Sequence, residues 1–435
     1  MAAVELLLKR GARVRAMDER PLSPEEQAKF DAVGVRVLPQ LPENIDTQRG
    51  APDIIVLSPA VPYDLPMLVA ARARGIPVIG EIEIASYFLK GPVIGITGSN
   101  GKTTTTALTG HLLKQCGIAC QVGGNIGKPM TSIVDSSDEC QWNVIELSSF
   151  QLESIDRFRA QIAACLNVTP DHLDRHYTFE GYASAKSRLF ETQRTGDFAV
   201  LNYRDPTCRA YASRTKAEVY WFSSSEKVPR GVWMNGHELW FDGGPFLNRS
   251  RIKLRGMHNV ENVMAAALMA WLAGATWEGI ASAAESFPGV EHRLEFVRDV
   301  EGIAYYNDSK ATNVDATLKA IDAFPEPLWI ILGGKDKGSD YTPLAAPLQH
   351  RARAVLLIGA EPPYAHAAAP LITAALQDAV PLVNCGTLAS AVKYAREHAA
   401  AGDVVLLAPA CASFDQFENF EQRGNTFKQL VAGLF

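Results

Sequence analysis

The sequence predicts an α/β fold with mostly parallel sheets, in a chain long enough for several domains. Short apolar segments with the character of buried strands alternate with helical segments along most of the chain. This alternation is typical of sheets whose parallel strands are joined by helices. The chain has 435 residues. Since a domain usually takes about 100–200 residues, roughly two to four domains are expected.

Residues 1–80 are predicted to form an N-terminal domain. A helix is expected over 65–74, and the expected strands are 13–17, 35–38, 54–57 and 78–79. Residues 1–10 resemble the second half of a helix, but no strand and glycine-rich turn precede them. Because a doubly wound domain normally begins with both, we expect this domain to lack its first strand.

A central domain over 81–287 and a C-terminal domain over 288–435 are predicted to follow. The expected central elements are strands at 93–97, 143–147, 162–168, 198–202 and 219–222, a hairpin over 232–241 and a helix over 258–272. The expected C-terminal elements are a hairpin of 294–297 with 303–307, a helix from 312, and buried strands at 328–332, 354–358 and 404–408.

Composition excludes several classes of protein. With 42 Lys and Arg against 48 Asp and Glu, the net charge is −6, which argues against nucleic-acid binding through a broad basic surface. No window holds the ~18 uninterrupted apolar residues of a membrane span. Glu5 interrupts the apolar start, so no secretory signal is expected. The seven cysteines form no C-x-x-C pair, which makes a disulfide framework or a zinc site unexpected. We therefore predict a cytoplasmic protein.

The strongest motif is a glycine-rich loop between a strand and a helix. Strand 93–97 leads into Gly98, Ser99, Asn100, Gly101, Lys102, Thr103 and Thr104. Glycines let backbone N–H groups surround phosphate oxygens, and the helix N-terminus favours the same anion. Lys102 can reach the β- and γ-phosphates, and the Thr103 hydroxyl can bind Mg²⁺. Ile96 replaces the first glycine of the usual motif, so the loop is a shortened variant. A chance Gly-Lys-Thr turn is the alternative, and we favour phosphate binding.

Polar side chains follow two further predicted strands. Glu146 lies near the end of one strand, and Asn167, Asp171 and His172 follow another. Carboxylates at strand ends beside a phosphate-binding loop are suited to Mg²⁺. A solvated strand end and a turn are the alternatives for the two acids. The i, i+4 spacing of His172 and His176 fits either a helical metal pair or a structural pair.

Polar loops also follow strands of the C-terminal domain. Residues 307–313 (NDSKATN) and 333–338 (GGKDKG) each suit an anionic ligand, and a charged surface loop is the alternative for both. Cys411 follows strand 404–408, but no acid–base partner can be assigned to it. We interpret Cys411 as a small buried residue.

The ordered set of motifs resembles the Mur ligase family of ATP-dependent amide-bond-forming enzymes over essentially the whole chain. The matching segments are TGSNGKTT, GGNIG, ELSSFQL, NVTPDHLDRH, YASAKSRLF, GMHNVEN, HRLE, NDSKATN, GGKDKG and APACASFDQFENFEQRG. The resemblance implies a Rossmann-like N-terminal domain, here incomplete, a P-loop ATPase-like central domain and a Rossmann-like C-terminal domain. Within the family, the last segment together with HRLE favours the ligases that add D-glutamate to UDP-N-acetylmuramoyl-L-alanine.

The resemblance implies ATP and two Mg²⁺ ions as cofactors. The implied ATP-binding residues are Gly98, Ser99, Asn100, Gly101, Lys102, Thr103, Thr104, Asn259, Asn262, Arg293 and Asp308. The implied metal-site residues are Thr103, Glu146, His172 and Lys186. From the residues alone, Lys186 is a solvated helical charge; the resemblance implies instead that it is carbamylated. A free ammonium would repel Mg²⁺, whereas a carbamate is an anionic oxygen ligand.

The resemblance also implies how the reaction proceeds. ATP phosphorylates the alanine carboxylate, and the D-glutamate amine attacks the acyl phosphate. The implied catalytic residues are Lys102, Glu146, His172, Lys186, Asp308 and Lys310. The implied substrate-binding residues are Asp18, Glu19, Arg20, Asn125 and His172 for the UDP substrate, and Thr312, Lys335, Ser413 and Phe420 for D-glutamate. A monomer is expected, with no nucleic-acid partner.

Three other functions are considered. The first is another activity within the family, with L-alanine, a diamino acid, a dipeptide or a folate as substrate; no Asp-Asn-Pro-Arg motif of the diaminopimelate-adding ligases is present. The second is a non-catalytic nucleotide-binding protein, although Lys102, Glu146, Lys186, Asp308 and Lys310 are all retained. The third is a simple P-loop kinase, which would not need the C-terminal domain. We favour the ligase.

Overall fold

The computed structural model describes residues 1–45, 50–359 and 366–434, apart from the side chain of Asp174. These residues divide into two compact units. The first unit comprises 1–249 and 261–284, and the second comprises 250–260 and the chain from 285 onward.

The first unit begins with two small parallel sheets. Its first elements are α1 (Ala2–Lys9), β1 (Ala16–Asp18), α2 (Pro24–Ala32), β2 (Val37–Pro39), β3 (Ile55–Leu57), α3 (Pro66–Ala73), β4 (Val78–Gly80) and α4 (Glu81–Ser86). Strand β1 pairs with β2, and β3 pairs with β4. Strand β1 begins three residues later than expected, because its ladder with β2 starts only at the Ala16–Val37 pair.

The rest of the first unit is built on one large sheet. The strands are β5 (Val93–Thr97), β6 (Cys120–Gly124), β7 (Trp142–Glu146), β8 (Ile162–Cys165), β9 (Phe198–Asn202), β10 (Glu218–Ser223), β11 (Gly231–Asn235), β12 (Glu238–Phe241) and β13 (Gly244–Asn248). The helices are α5 (Lys102–Gln115), α6 (Met130–Ile133), α7 (Ser149–Leu152), α8 (Leu173–His176), α9 (Phe179–Glu191), α10 (Pro206–Tyr211), α11 (Met257–Leu272) and α12 (Trp277–Ser286).

The strand order of this sheet is β13-β12-β11-β10-β9-β8-β5-β7-β6. Strands β5 to β11 are parallel to their neighbours, and only the β11–β12–β13 meander is antiparallel. Every residue of β5 is buried, as expected for a central strand covered on both faces. The neighbours of β5 are β7 and β8, so the carboxyl ends of these three strands meet at one edge.

Strand β8 ends at Cys165, three residues before the expected end. The next residues turn toward the loop after β5, where the Asn167 carbonyl accepts a hydrogen bond from the Ser99 N–H at 2.9 Å. The backbone is thus used to shape the loop rather than to extend the ladder.

The second unit is built on its own six-stranded sheet. The strands are β14 (Glu295–Val300), β15 (Ile303–Asn307), β16 (Leu328–Gly333), β17 (Ala352–Ile358), β18 (Leu382–Gly386) and β19 (Val404–Leu407). The helices are α13 (Val314–Asp322), α14 (Ala345–Arg351), α15 (Ala369–Leu376), α16 (Leu388–His398) and α17 (Phe420–Ala432). The order is β14-β15-β19-β16-β17-β18, with only β14 antiparallel to its neighbour. The loops after β15, β19 and β16 therefore meet at one edge.

The α/β fold class is confirmed, and several elements were not expected from sequence. They include β6, β13, β18 and α12. Helix α13 begins at Val314 rather than at residue 312, because the Asn313 side chain caps it by accepting the Ala316 N–H at 2.8 Å. The three domain ranges, 1–80, 81–287 and 288–435, stay a prediction. In the part of the chain that the structure covers, no helix combines the length and apolar content needed to cross a membrane.

Candidate active site

The glycine-rich loop has the backbone shape that its sequence predicts. Gly98 and Gly101 have φ values of +148° and +86°, which L-residues rarely adopt. Helix α5 starts directly after Gly101, so its N-terminal N–H groups face the loop. The Lys102 Nζ folds back and donates to the carbonyl oxygens of Gly98 and Ser99, both at 2.8 Å. The loop thus places a cation and a helix N-terminus together, as phosphate binding requires.

Neighbouring residues hold this loop in place. The Asn167 side chain accepts from the Asn100 N–H at 2.8 Å and donates to the Asn100 carbonyl at 3.0 Å. The Ser99 hydroxyl bonds to the Thr169 carbonyl at 2.9 Å and lies 3.0 Å from the Tyr182 hydroxyl. On the other side, a Cβ added to Gly101 would lie only 2.4 Å from the Asn262 Oδ1. The loop conformation is therefore set by contacts, and Asn262 lies against the loop.

Glu146 ends strand β7 beside the loop. Its side chain is buried, and its Oε1 accepts from the Asn125 amide at 2.9 Å. Its Oε2 is also buried and has no hydrogen-bond partner. A buried carboxylate oxygen without a donor is costly unless a cation binds it. The solvated strand end considered above is therefore wrong for Glu146, and the side chain fits a Mg²⁺ ligand.

Lys186 on helix α9 is fully buried next to the same loop. Its Nζ donates to the Gly98 carbonyl at 2.9 Å and lies 4.4 Å from the centroid of the Tyr182 ring. Burial, assisted by the charge of Lys102, lowers the pKa of Lys186 to about 7. A solvated helical lysine is therefore a wrong interpretation. The amine is held where its charge is disfavoured, and the neutral form that can react with CO₂ is accessible near neutral pH.

The two histidines of the i, i+4 pair have different surroundings. His172 is exposed, has φ +52°, and its ring lies 4.8 Å from that of Phe150. His176 is buried, and its two ring nitrogens lie 2.9 Å from the Ser149 hydroxyl and 3.1 Å from the Glu153 carboxylate. Both nitrogens of His176 are engaged, so a helical His172–His176 metal pair is a wrong interpretation. Within the described ranges, no group of three or more His, Cys, Asp or Glu residues forms a metal site.

The residues expected to bind the UDP substrate lie in two places. Asp18 is the last residue of β1, Glu19 and Arg20 follow it, and the Arg20 guanidinium is paired with Glu26. Asn125 follows β6 and is hydrogen-bonded to Glu146, as above. The structure therefore connects Asn125 to the candidate metal site.

The second unit carries a separate group of charged residues at the edge formed by β15, β19 and β16. Asp308 follows β15 and is fully buried, with its Oδ1 4.0 Å from the Arg293 Nη1. Burial raises the pKa of Asp308 to about 6, although Arg293, the Leu294 backbone and Lys310 oppose this shift. The Lys310 Nζ lies 5.2 Å from the centroid of the Phe420 ring. The polar side chains of the 307–313 loop thus point to a ligand site rather than a charged surface loop.

Three further expected residues, Lys335, Ser413 and Thr312, lie in loops that meet at the same edge. The Lys335 and Ala412 backbones exchange two hydrogen bonds, of 2.9 and 3.2 Å, which places Lys335 beside Ser413. The Ala410 N–H donates to the Ala311 carbonyl at 2.9 Å, and this brings the same loop next to Thr312. Asn259 lies at the start of α11, where its amide donates to the Arg255 carbonyl at 2.7 Å. Cys411 is buried, as expected.

Arg423 of α17 was not identified from sequence. It is fully buried, and its guanidinium donates to the Ser309 hydroxyl and carbonyl, at 3.0 and 2.9 Å, and to the Cys411 carbonyl at 3.2 Å. It joins the loops after β15 and β19. The run FEQRG holds this arginine, but only the fold shows that it points inward.

Two family models match the chain. The Mur ligase middle domain matches residues 96–270, and the glutamate ligase domain of Mur ligases matches residues 292–411. The chain is 56% identical over 434 residues to the UDP-N-acetylmuramoylalanine–D-glutamate ligase of Solibacter usitatus, covering 100% of this chain and 95% of the relative. It is 46% identical to the ligase of the same name from Acidobacterium capsulatum, covering 99% of this chain and 93% of the relative.

Solved structures support the same fold. The MurF ligase of Thermotoga maritima in complex with ADP superposes with a TM-score of 0.63 at 17% identity, over 96% of this chain and 98% of that chain. At this identity the likeness concerns the fold. The family models, the two relatives and this likeness in fold agree on the family. The chain belongs to the Mur ligase family, among its UDP-N-acetylmuramoylalanine–D-glutamate ligases.

Proposed function

We propose that this chain uses ATP to join D-glutamate to UDP-N-acetylmuramoyl-L-alanine through an acyl phosphate. The observation that carries the proposal is the edge of the large sheet, where the Gly98–Thr104 loop and the unpartnered Glu146 oxygen lie on adjacent strands. Phosphoryl transfer depends mainly on positioning and charge neutralisation. The side chains at this edge provide both.

ATP is assigned to the loop through its phosphates. Backbone N–H groups of the loop and the α5 N-terminus would contact phosphate oxygens, and Lys102 would leave its carbonyl partners for the β- and γ-phosphates. Asn262 lies against Gly101, where a side chain at position 101 would meet it, and it is assigned to the nucleotide. Asn259 is assigned to the nucleotide on the same helix.

Mg²⁺ is assigned to Thr103 and Glu146, with a second ion at His172 and carbamylated Lys186. When bound, Mg²⁺ would neutralise charge on the transferring phosphoryl group. The buried Glu146 Oε2 has the chemistry of a Mg²⁺ ligand. Lys186 fits only after reaction with CO₂, and its pKa near 7 supports this reaction at neutral pH.

The second unit is assigned to the acceptor amino acid. Arg293, Asp308 and Lys310 would act on ATP and on the entering amine, and Lys335 would pair with a carboxylate of D-glutamate. The remaining D-glutamate residues are Thr312, Ser413 and Phe420. The UDP substrate is assigned to Asp18, Glu19, Arg20, Asn125 and His172. We propose a cytoplasmic monomer, since the reaction would use ATP and a nucleotide-linked substrate.

The proposed reaction has two steps. An oxygen of the alanine carboxylate attacks the γ-phosphorus, and ADP leaves. The D-glutamate amine then attacks the acyl carbon, and the tetrahedral intermediate collapses to an amide and inorganic phosphate. No nucleophilic side chain of the protein is needed.

Product release tests the proposal. ADP and phosphate would be measured with UDP-N-acetylmuramoyl-L-alanine and D-glutamate, with L-glutamate, L-alanine and meso-diaminopimelate as matched acceptors. Release only with D-glutamate is expected. Release with a different acceptor would refute the proposed specificity, and ATP binding without turnover would indicate a non-catalytic nucleotide-binding protein.

A further inference from the structure

The short segment 172–177 contains side chains that no step above uses. His172 and Tyr177, at its two ends, have positive φ values of +52° and +64°. Non-glycine residues keep such conformations only where surrounding contacts impose them, and they concentrate at functional sites. The contacts of Arg175 and Tyr177 show what imposes the conformation here.

Arg175 is a largely buried side chain with two sets of partners. Its Nη2 donates to the Glu153 Oε2 at 2.7 Å, and its Nε lies 3.2 Å from the same oxygen. The same guanidinium donates to the Val61 carbonyl at 2.8 Å and to the Ala60 carbonyl at 3.3 Å. Its centre lies 5.2 Å from the centroid of the Phe150 ring. Arg175 therefore joins segment 172–177 to a loop more than a hundred residues earlier in the chain.

That earlier loop lies at the carboxyl end of a parallel strand. It follows β3, and ligands of open α/β sheets bind beyond the carboxyl ends of the strands. A second bond reaches it from the same segment, since the Tyr177 hydroxyl donates to the Asp64 Oδ2 at 2.9 Å. A cavity of about 290 Å³ lies among Tyr63, Asp64, Arg175 and Tyr177. On its far side the loop packs through Val61, Tyr63 and Leu65 against an apolar cluster that includes Leu57 and Leu68. The polar bonds of Arg175 and Tyr177 connect the loop to segment 172–177.

Arg175 is also connected, through Glu153 and His176, to the residues that follow strand β7. Glu153 also contacts His176, and His176 contacts the Ser149 hydroxyl, which lies three residues after Glu146. His172, at the start of the segment, is assigned to substrate and metal. Side-chain contacts through Arg175, Glu153 and His176 therefore lead from the β3 loop to Ser149, close in sequence to the strand end that carries Glu146.

We infer that Arg175 is a positioning residue for the UDP-linked substrate, since it holds the β3 loop at a fixed place relative to His172 and Glu146. This inference rests on the proposed function and adds a determinant of how that substrate binds. With the β3 loop held, a substrate bound at the first two small sheets presents its carboxylate to the γ-phosphate. ATP binding does not depend on Arg175, because the Gly98–Thr104 loop is held by other residues.

The test compares three variants with a matched control. Arg175→Gln removes the charge and the paired, charge-assisted hydrogen bonds to Glu153. Arg175→Lys keeps the charge, and Tyr177→Phe removes one exposed hydrogen bond. Arg157→Gln is the control, because Arg157 is an exposed arginine of the same unit that forms a long ion pair, 3.7 Å, with its neighbour Asp156. For each variant, KM for both substrates, kcat and the Kd for ADP would be measured.

Arg175→Gln is expected to raise KM for UDP-N-acetylmuramoyl-L-alanine by about tenfold or more, with the Kd for ADP within twofold of the wild type. Arg175→Lys is expected to restore part of this loss, and Tyr177→Phe to raise the same KM about threefold. Arg157→Gln should leave all constants unchanged. These expectations follow from the loss of charge-assisted bonds.

Two results would overturn the inference. One is an unchanged KM for the UDP substrate in both Arg175→Gln and Tyr177→Phe. Another is an equal weakening of ADP and UDP-substrate binding, which indicates a general structural role. If Arg175→Gln does not fold, Arg175→Lys and Tyr177→Phe decide the question. Failure of the proposed function gives a different result, because the wild-type chain then shows no turnover with D-glutamate, and the inference fails with it.

Discussion

Replacing Gly101 by alanine tests the nucleotide-binding loop most specifically. Gly101 has φ +86°, and an added Cβ would lie 2.4 Å from the Asn262 Oδ1. The left-handed backbone costs an L-residue about 1–2 kcal/mol. If the loop of the Gly101→Ala variant adopts another conformation to avoid this cost, only about one molecule in 5–30 keeps the phosphate-binding conformation. The apparent Kd then rises by the same factor. The contact with Asn262 adds to this loss.

Calorimetric titration with ADP measures the effect. We expect Gly101→Ala to raise the Kd for ADP at least about fivefold, with 5- to 30-fold as the range from the backbone cost alone. The matched control is Gly117→Ala at the other end of α5, where φ is +75° and no atom lies within 4 Å of the added Cβ. It has the same backbone cost but lies away from the loop. A Kd for Gly101→Ala within twofold of the wild type, or an equal rise in both variants, would refute the reasoning.

Three further predictions concern buried acids and Lys186. The buried Glu83 carboxylate accepts three backbone N–H groups of residues 156–158 at 2.8–2.9 Å. Glu83→Gln should leave at least one donor unpaired, at about 1–3 kcal/mol, and lower Tm by about 3–10 °C. The exposed Glu180→Gln should change Tm by no more than about 1 °C, and equal Tm values for both variants would contradict the burial argument. The pKa of Lys186 falls from 10.5 to about 7 on folding, so the unfolded state binds more protons between these values and stability rises with pH there. In bicarbonate-free buffer, Lys186→Met should flatten the rise of Tm between about pH 7 and 10. An unchanged slope would contradict the lowered pKa of Lys186 in the folded chain. Glu146→Gln should raise the Mg²⁺ concentration for half-maximal turnover at least about tenfold, measured by ADP release; an unchanged Mg²⁺ dependence would remove Glu146 from the metal site.

Strands that are apolar throughout could be predicted from sequence, and strands that depend on their neighbours could not. Strands β5 and β9 have the expected bounds, because an uninterrupted apolar run suits a strand buried on both faces. Strands β6 (CQVGG) and β18 (LVNCG) contain glycines and polar residues and carry little strand propensity. They form as edge strands because they pair with the interior strands β7 and β17.

The same distinction holds for the candidate site. The Gly98–Thr104 loop and Glu146 follow directly from strands, so local sequence is enough to place them. The burial of Lys186, the Asn100–Asn167 pair and the bonds of Arg175 join residues 88, 67 and 114 positions apart. A helical pattern around Lys186 does not show which neighbour its side chain meets. Such contacts follow from the order of the strands, which sequence periodicity does not determine.

The acyl phosphate is the central claim, and an isotope label follows it directly. UDP-N-acetylmuramoyl-L-alanine labelled with ¹⁸O in the alanine carboxylate would be incubated with ATP, Mg²⁺ and D-glutamate, and the released phosphate analysed by mass spectrometry. Attack of the carboxylate on the γ-phosphorus transfers one carboxylate oxygen, so each phosphate should carry one ¹⁸O and appear only when D-glutamate is present. Unlabelled phosphate would contradict the account, because it would show that water, and not the substrate carboxylate, receives the phosphoryl group.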